Sequence, residues 1–245
     1  MISIVEKDAA KAMKSYRKSA ELGYAKAQFK LGVIYDKGQG MEKDYAEAVK
    51  WYRQAAGQGI AEAQFNLGLM YVNGRGVERN DAEAVKWYRM AAAQEFARAQ
   101  VNLGSMYFHG QGVEKDYVES FKWYRKAAGH GVPKAQSNLG LMYFNGQGVE
   151  KDYAEAVKWY REAAEAGDAN AGFKLGLMCA NGLGIAKDYL EAYAWWNLVA
   201  ITNETAAKAR DELEKKMSPQ QVADAQNRTK EFRAIIDAKL KRTGD

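Results

Sequence analysis

Tryptophan recurs along this chain with a fixed step: Trp51, Trp87, Trp123, Trp159 and Trp195 each lie 36 residues apart. Asp44, Asn80, Asp116, Asp152 and Asp188 precede them by seven residues with the same step, and Asp8 extends the series by one unit. A period of this size marks a stack of small supersecondary units, none of which can bury its apolar face alone. The chain has 245 residues, enough for several such units in succession.

Each unit reads as two helices. Advancing 100° per residue from Asp44, the side chains of Tyr45, Ala48, Val49, Trp51, Tyr52, Ala55 and Ala56 cover an arc from about −20° to about 140°. Glu47, Lys50, Arg53 and Gln54 fall on the other side. The pair Asp44/Glu47 predicts a capping box, repeated as Asn80/Glu83, Asp116/Glu119, Asp152/Glu155 and Asp188/Glu191, with Asp8 and Lys11 departing from it. Gly23, Gly59, Gly131 and Gly167 fit a left-handed turn between the two helices. The third unit has Glu95 there, which predicts a different turn. A glycine inside each second helix (Gly32, Gly68, Gly104, Gly140, Gly176) predicts a helix–helix approach too close for a methyl group. Glycine pairs such as Gly146/Gly148 then reverse the chain toward the next unit.

Composition excludes several classes. At 47% hydrophobic and 27% charged residues the chain is not a disordered tail. No run approaches the roughly 18 apolar residues of a membrane span. Cys179, the one cysteine, cannot form an intrachain disulfide and reads as a small buried hydrophobe. His109 and His130 fall in different turns, which gives no metal-ligand spacing. Gly182 and Gly184 lack the rest of a phosphate loop. The recurrent glutamates are explained by capping. No catalytic residue, metal or cofactor is therefore expected. The net charge of +5 is spread among alternating Glu and Lys, which does not predict a nucleic-acid partner.

The strings Leu-Gly-x-Met-Tyr-x-x-Gly-x-Gly-Val and Asp-Tyr-x-Glu-Ala-x-Lys-Trp-Tyr-Arg-x-Ala-Ala-x-x-Gly resemble the Sel-one-like repeat, a relative of the tetratricopeptide repeat. The resemblance runs from Val5 to about Ile201. It implies an all-α fold, a right-handed α-solenoid of 36-residue helix-turn-helix repeats whose first helices line a concave groove. It also implies protein–protein interaction. Some disulfide-rich members are described as binding or acting on β-lactams, but the paired cysteines of those members are missing here. The rival expectation is thus an enzyme or small-ligand binder acting on cell-wall fragments or β-lactams.

On this reading residues 1–201 hold five repeats and the first helix of a sixth. Residues 202–245 form a C-terminal helical cap, with Ser218 and Gln221 as a capping box and Val222, Ala225, Phe232, Ile235, Ile236 and Leu240 as an apolar face. The alternative is that the last helix docks in a neighbouring molecule's groove. Val5–Asp8 matches the inter-repeat segments Val113–Asp116 and Val149–Asp152, predicting a turn at the start of the chain. The predicted partner-binding groove is a basic track with tryptophans along one wall: Lys50, Arg53, Lys86, Trp87, Arg89, Lys122, Trp123, Arg125, Lys158, Trp159 and Arg161. Such a track predicts a protein or peptide partner with acidic residues. The chain as it stands carries no signal sequence at Met1, so the expected compartment is the cytoplasm, or the periplasm or exterior if a signal has been removed.

Overall fold

The computed structural model describes residues 4–243, with side chains from 13 to 242. Among these residues the only regular elements are thirteen helices. They run in pairs: α1 (Ile4–Glu21) and α2 (Ala25–Lys37), α3 (Tyr45–Gly57) and α4 (Ala61–Asn73), α5 (Asp81–Ala93) and α6 (Ala97–His109), α7 (Tyr117–Gly129) and α8 (Pro133–Asn145), α9 (Tyr153–Glu165) and α10 (Ala169–Asn181), then α11 (Tyr189–Val199), α12 (Glu204–Glu214) and α13 (Pro219–Thr243). Residues up to Asp116, with α1–α6, form one compact unit; residues from Tyr117, with α7–α13, form another. Within each, a second helix packs on its own first helix and on the following one. The wide apolar arc of a first helix is what two such neighbours require.

The first helices start on side-chain caps. Asp44, Asn80 and Asp188 accept from Glu47, Glu83 and Glu191 amides, and Asp152 accepts from both Ala154 and Glu155. Only half of the expected capping box forms. The cap amides of Asp44, Asn80, Asp152 and Asp188 already donate to the carbonyls of Tyr35, Tyr71, Tyr143 and Cys179 in the preceding second helices, at 3.0 Å each. The glutamates are left to other partners: Glu47, Glu83 and Glu155 each take a lysine, and Glu191 takes Arg161. At the start of α13 the box is complete: Ser218 N donates to Gln221 Oε1 at 2.8 Å, and Gln221 N to Ser218 Oγ at 3.2 Å. Residues Val5–Asp8 belong to helix α1 and not to a turn. Val113 and Val149 follow a Gly-x-Gly that reverses the chain, whereas Val5 follows Ser3-Ile4. The side chains of Asp8 and Lys11 lie outside the described residues.

The second-helix glycines receive an aromatic ring rather than a neighbouring backbone. Tyr52 lies on Gly32, Tyr88 on Gly68, Tyr160 on Gly140 and Trp196 on Gly176, with ring atoms 2.5–2.7 Å from where a Cβ would stand. A buried glutamine adds a polar stitch. In the first unit Gln28 and Gln64 donate to the first-helix carbonyls of Ala20 and Ala56, both at 3.1 Å. Their own side-chain oxygens accept from Gln58 (2.7 Å) and Gln94 (2.8 Å) of the next repeat. Burying these amides is tolerable because both ends are bonded.

The third inter-helix turn does not differ from the others. Glu95 takes φ +60°, close to the +74° to +90° of its glycine counterparts, and its carboxylate accepts from Gln100 Nε2 at 3.0 Å. A left-handed non-glycine costs about 1–2 kcal/mol, and glycine returns about 0.4–1 kcal/mol through unfolded-chain entropy. Glu95→Gly is therefore expected to stabilise by about 0.5–1 kcal/mol, read as a higher urea midpoint. A lower midpoint would show that the Gln100 bond outweighs the strain.

In the second unit α12 and α13 pack on α11, and α13 also reaches α9. Phe232 stacks on Trp195 with ring centroids 4.5 Å apart, and Ala225 is fully buried. Arg228 pairs with Asp188 at 2.9 Å, and Lys239 with Glu165 at 3.5 Å. The last helix thus docks on its own chain, although Ile235, expected on its apolar face, is half exposed.

Candidate functional site

The predicted lysines and arginines leave the first helices toward solvent, the predicted tryptophans lie half-buried beside them, and their partners divide these residues into two stripes. One stripe is Glu–Lys–Trp. Lys50 pairs with Glu47 at 3.1 Å and Lys158 with Glu155 at 3.3 Å, three residues apart on one helix. Lys122 pairs with Glu119 at 2.6 Å, and Lys86 with Glu83. All four lysines are more than half exposed, so each bridge adds little stability. Each does offset the lysine's charge. Lys50 and Lys158 also lie over the Trp51 and Trp159 rings, at 5.5 and 5.8 Å from the centroids, and Lys126 over Trp123 at 5.1 Å. Trp51 is buried, with its indole N–H donating to Glu47 at 3.1 Å. Trp87, Trp123 and Trp159 are half-buried.

The other stripe is Arg–Tyr. In the first unit Arg53 donates to the Tyr71 hydroxyl at 2.9 Å and Arg89 to the Tyr107 hydroxyl at 2.5 Å. Arg17 of α1 makes the same bond to Tyr35. Each guanidinium is exposed and is held from the second helix of its own repeat, 18 residues on. A hydroxyl orients the fork without neutralising it, which leaves other N–H groups for a carboxylate. Arg17 was not among the sequence candidates; its signal is the same 36-residue step that carries Arg53 and Arg89.

The last repeat differs for a reason visible in the sequence. Cys179 stands where the other second helices carry tyrosine, so Arg161 has no hydroxyl to meet. It pairs instead with Glu191 of α11 at 2.7 Å. A depression of about 370 Å³ opens over α9, lined by Val157, Ile185, Lys158, Arg161, Glu162 and Glu165. Its two cations face two carboxylates. Arg125, on α7, is exposed.

The remaining chemical groups do not assemble. His109 is the last residue of α6 rather than a turn residue, because the helix runs on to the left-handed Gly110, and His130 lies in the turn after α7; both are exposed. No group of three or more metal-ligating side chains exists among the described residues, and no described helix is long and apolar enough to cross a membrane. Cys179 is fully buried, and burial, with Glu191 nearby, pushes its thiol up to about 12. The thiolate is the reactive form, so Cys179 is expected to resist an aromatic disulfide reagent at pH 8 until denaturant is added. Full reaction of the folded protein within minutes would contradict this placement.

Comparison with known proteins agrees with this architecture. No curated protein is significantly similar to the chain. Among solved structures it is similar to c5321, a protective antigen of uropathogenic Escherichia coli with an SLR fold, at 34% identity and a TM-score of 0.84, over 94% of this chain and 50% of that one. The chain thus spans half the length of that relative. It is also similar to a Sel1 repeat protein from Oxalobacter formigenes, at 41% identity and a TM-score of 0.75, over 83% of this chain and 87% of that one. The Sel1 repeat model matches six times in succession, at residues 3–24, 25–60, 61–96, 97–132, 133–168 and 169–200. With its 36-residue helix pairs matched end to end, the chain belongs to the Sel1 repeat family.

Proposed function

We propose that this protein is a non-enzymatic interaction scaffold that takes an acidic segment of a protein partner on its first-helix face. Sel1 repeat proteins generally serve as protein-interaction scaffolds, and the family membership carries that part of the reading. The acidic preference rests on one observation: the lysines of the face are offset by glutamates, whereas Arg53 and Arg89 are held by uncharged hydroxyls. These guanidiniums keep their charge and are already oriented. A carboxylate reaching them completes a bond whose ordering cost has largely been met.

The test is fluorescence anisotropy with a labelled polyglutamate peptide and a polylysine counterpart, at low and at raised salt. Polyglutamate is expected to bind in a salt-sensitive way, polylysine not. Arg53→Glu/Arg89→Glu should lower polyglutamate affinity at least tenfold with the helical circular-dichroism signal unchanged. Equal binding to the double variant, or none to the parent protein, would refute the acidic preference.

A further inference from the structure

We infer that the second unit holds a binding site for a small organic ammonium compound, a primary amine on a compact apolar body, in the cavity between the α9–α10 turn, α11 and α13. The site is separate from the first-helix face and does not depend on the acidic preference proposed above.

The cavity lies where the repeat loses a recurring pair of side chains. Gln28, Gln64, Gln100 and Gln136 stand 36 residues apart in the second helices, and the next position of that series is Gly172. The same step carried on from Gln58 and Gln94 reaches Thr202. Where both glutamines are present they fill the joint. Gln28 donates to the Ala20 carbonyl at 3.1 Å, and Gln58 donates to the Gly23 carbonyl at 2.9 Å and to Gln28 at 2.7 Å. At the last joint neither amide exists. Ala164 and Gly167, the counterparts of Ala20 and Gly23, line a cavity of about 240 Å³ together with Gly172 and Thr202. The Ala164 carbonyl keeps its turn bond from Gly167 N at 3.0 Å, as Ala20 keeps its bond from Gly23 N. What is missing is the side-chain donor. A longer residue at 172 is opposed by Val199, which replaces the alanine of earlier first helices and stands 3.0 Å from where a Cβ would be.

The lining selects the ligand. Trp195, Leu198, Val199, Ile236 and Leu240 supply apolar walls, and Trp195 is braced by its stacking on Phe232. The polar groups are mainly acceptors. Asp168 uses one carboxylate oxygen to cap α10, at 2.8 Å from Ala171 N, and keeps the other. Thr202 uses its hydroxyl proton on the Val199 carbonyl at 3.3 Å, so it can only accept. Asp237 adds a second carboxylate from α13, against one cation, Arg233. The carbonyl ends of α9 and α11 border the cavity, and such ends favour positive charge. A primary ammonium brings three donors and a positive charge to these acceptors. A carboxylic acid would face both aspartates, and a neutral amide would leave their charge unmet. The volume lies below the about 300–1,000 Å³ of sites for drug-sized ligands, so the body is compact. Arg233 separates two sources of the group. It can hold the carboxylate of an α-amino acid, and has nothing to hold on a simple amine.

Titration calorimetry on the whole protein at pH 7 tests the site. Phenethylamine is expected to bind saturably and at least tenfold more tightly than phenylacetate, which has the same ring and the opposite charge. It should exceed methylammonium, which has the charge without the ring, by a similar factor. Asp168→Asn keeps a capping oxygen, so Asp168→Asn/Asp237→Asn should weaken phenethylamine at least tenfold with the helical circular-dichroism signal unchanged. Asp224→Asn removes a carboxylate near the start of α13 and should change nothing, which shows that net charge is not the cause. Gly172→Gln/Val199→Ala restores the recurring glutamine and should abolish binding; if that variant does not fold, the aspartate pair still decides. Phenylalanine binding more tightly than phenethylamine, with the gain lost in Arg233→Gln, would assign the site to an amino acid, and the reverse order to a simple amine. Phenylacetate binding as tightly as phenethylamine, a silent aspartate pair, or no binding of any probe would each overturn the site.

Discussion

Gly148→Ala is expected to be the most damaging small substitution in the second unit. Gly148 sits at φ +71°, and a Cβ there would stand 2.1 Å from the Tyr117 carbonyl oxygen at the start of α7. The atoms in the way, the Tyr117 carbonyl and the Val118 amide nitrogen, are backbone, so no rotamer change relieves the contact. The left-handed conformation costs about 1–2 kcal/mol, and the overpacking about 1–3 kcal/mol more. A loss of roughly 3 kcal/mol corresponds to a fall in Tm of about 6–12 °C for a chain of this size. Two comparisons isolate the cause. Gly146→Ala meets the same positive φ, but its nearest neighbour is the Lys151 Cβ at 3.2 Å, so it should lose only about half as much. Gly129→Ala has nothing within 4 Å and no positive φ, and should leave the melt unchanged or slightly raised. If Gly148→Ala melts with Gly146→Ala, the close contact with α7 is not what requires glycine.

Gly140→Leu is expected to disrupt the joint between α8 and α9. Even a single methyl at Gly140 would lie 2.7 Å from the Tyr160 ring, and Tyr160 is itself almost fully buried. The ring cannot swing out without opening the core, so the loss should reach several kcal/mol, above the usual range of about 1–3 kcal/mol for overpacking. The pairing can be shown by a double-mutant cycle. Gly140→Ala and Tyr160→Leu should each destabilise alone, while together they should cost less than their sum, because the space vacated by the ring takes the methyl. Strict additivity would place the clash elsewhere. The Tyr160 hydroxyl is buried with no hydrogen-bond partner among the described residues, and burial raises it well above the usual phenol range. Tyr160→Phe should therefore be neutral or stabilising, a companion check on the same site.

Much of this was legible in the residues. The 36-residue step of tryptophan and aspartate placed the first helices, and the alanine and tyrosine spacing named their buried faces. Tyr52, Ala55 and Ala56 are fully buried, as the wheel predicts. The binding face was legible in part. Lys50 and Arg53 both leave the polar side, but the sequence reading gave them one role, and Arg17 was not singled out because its unit has Ser15 in place of tryptophan. Glu47 read as half of a reciprocal cap, whereas it serves Lys50 and Trp51. Gln28 and Gln64, which stitch successive repeats, gave no signal beyond recurring on an apolar face.

The division has a physical origin. Backbone conformation follows from local causes: a cap, a helical period and a residue that tolerates positive φ act within a few positions of one another, so the chain order alone determined helices, turns and buried faces. The partners of long polar side chains are chosen otherwise. A helical period sets the direction in which Arg53 or Glu47 leaves the backbone, but three or more rotatable bonds then bring several acceptors within reach, separated by about 1 kcal/mol. Which acceptor wins depends on groups that only the packed structure brings near. Asp44 N met the Tyr35 carbonyl, so Glu47 turned to Lys50; the Tyr71 hydroxyl came beside Arg53, so that arginine kept its charge.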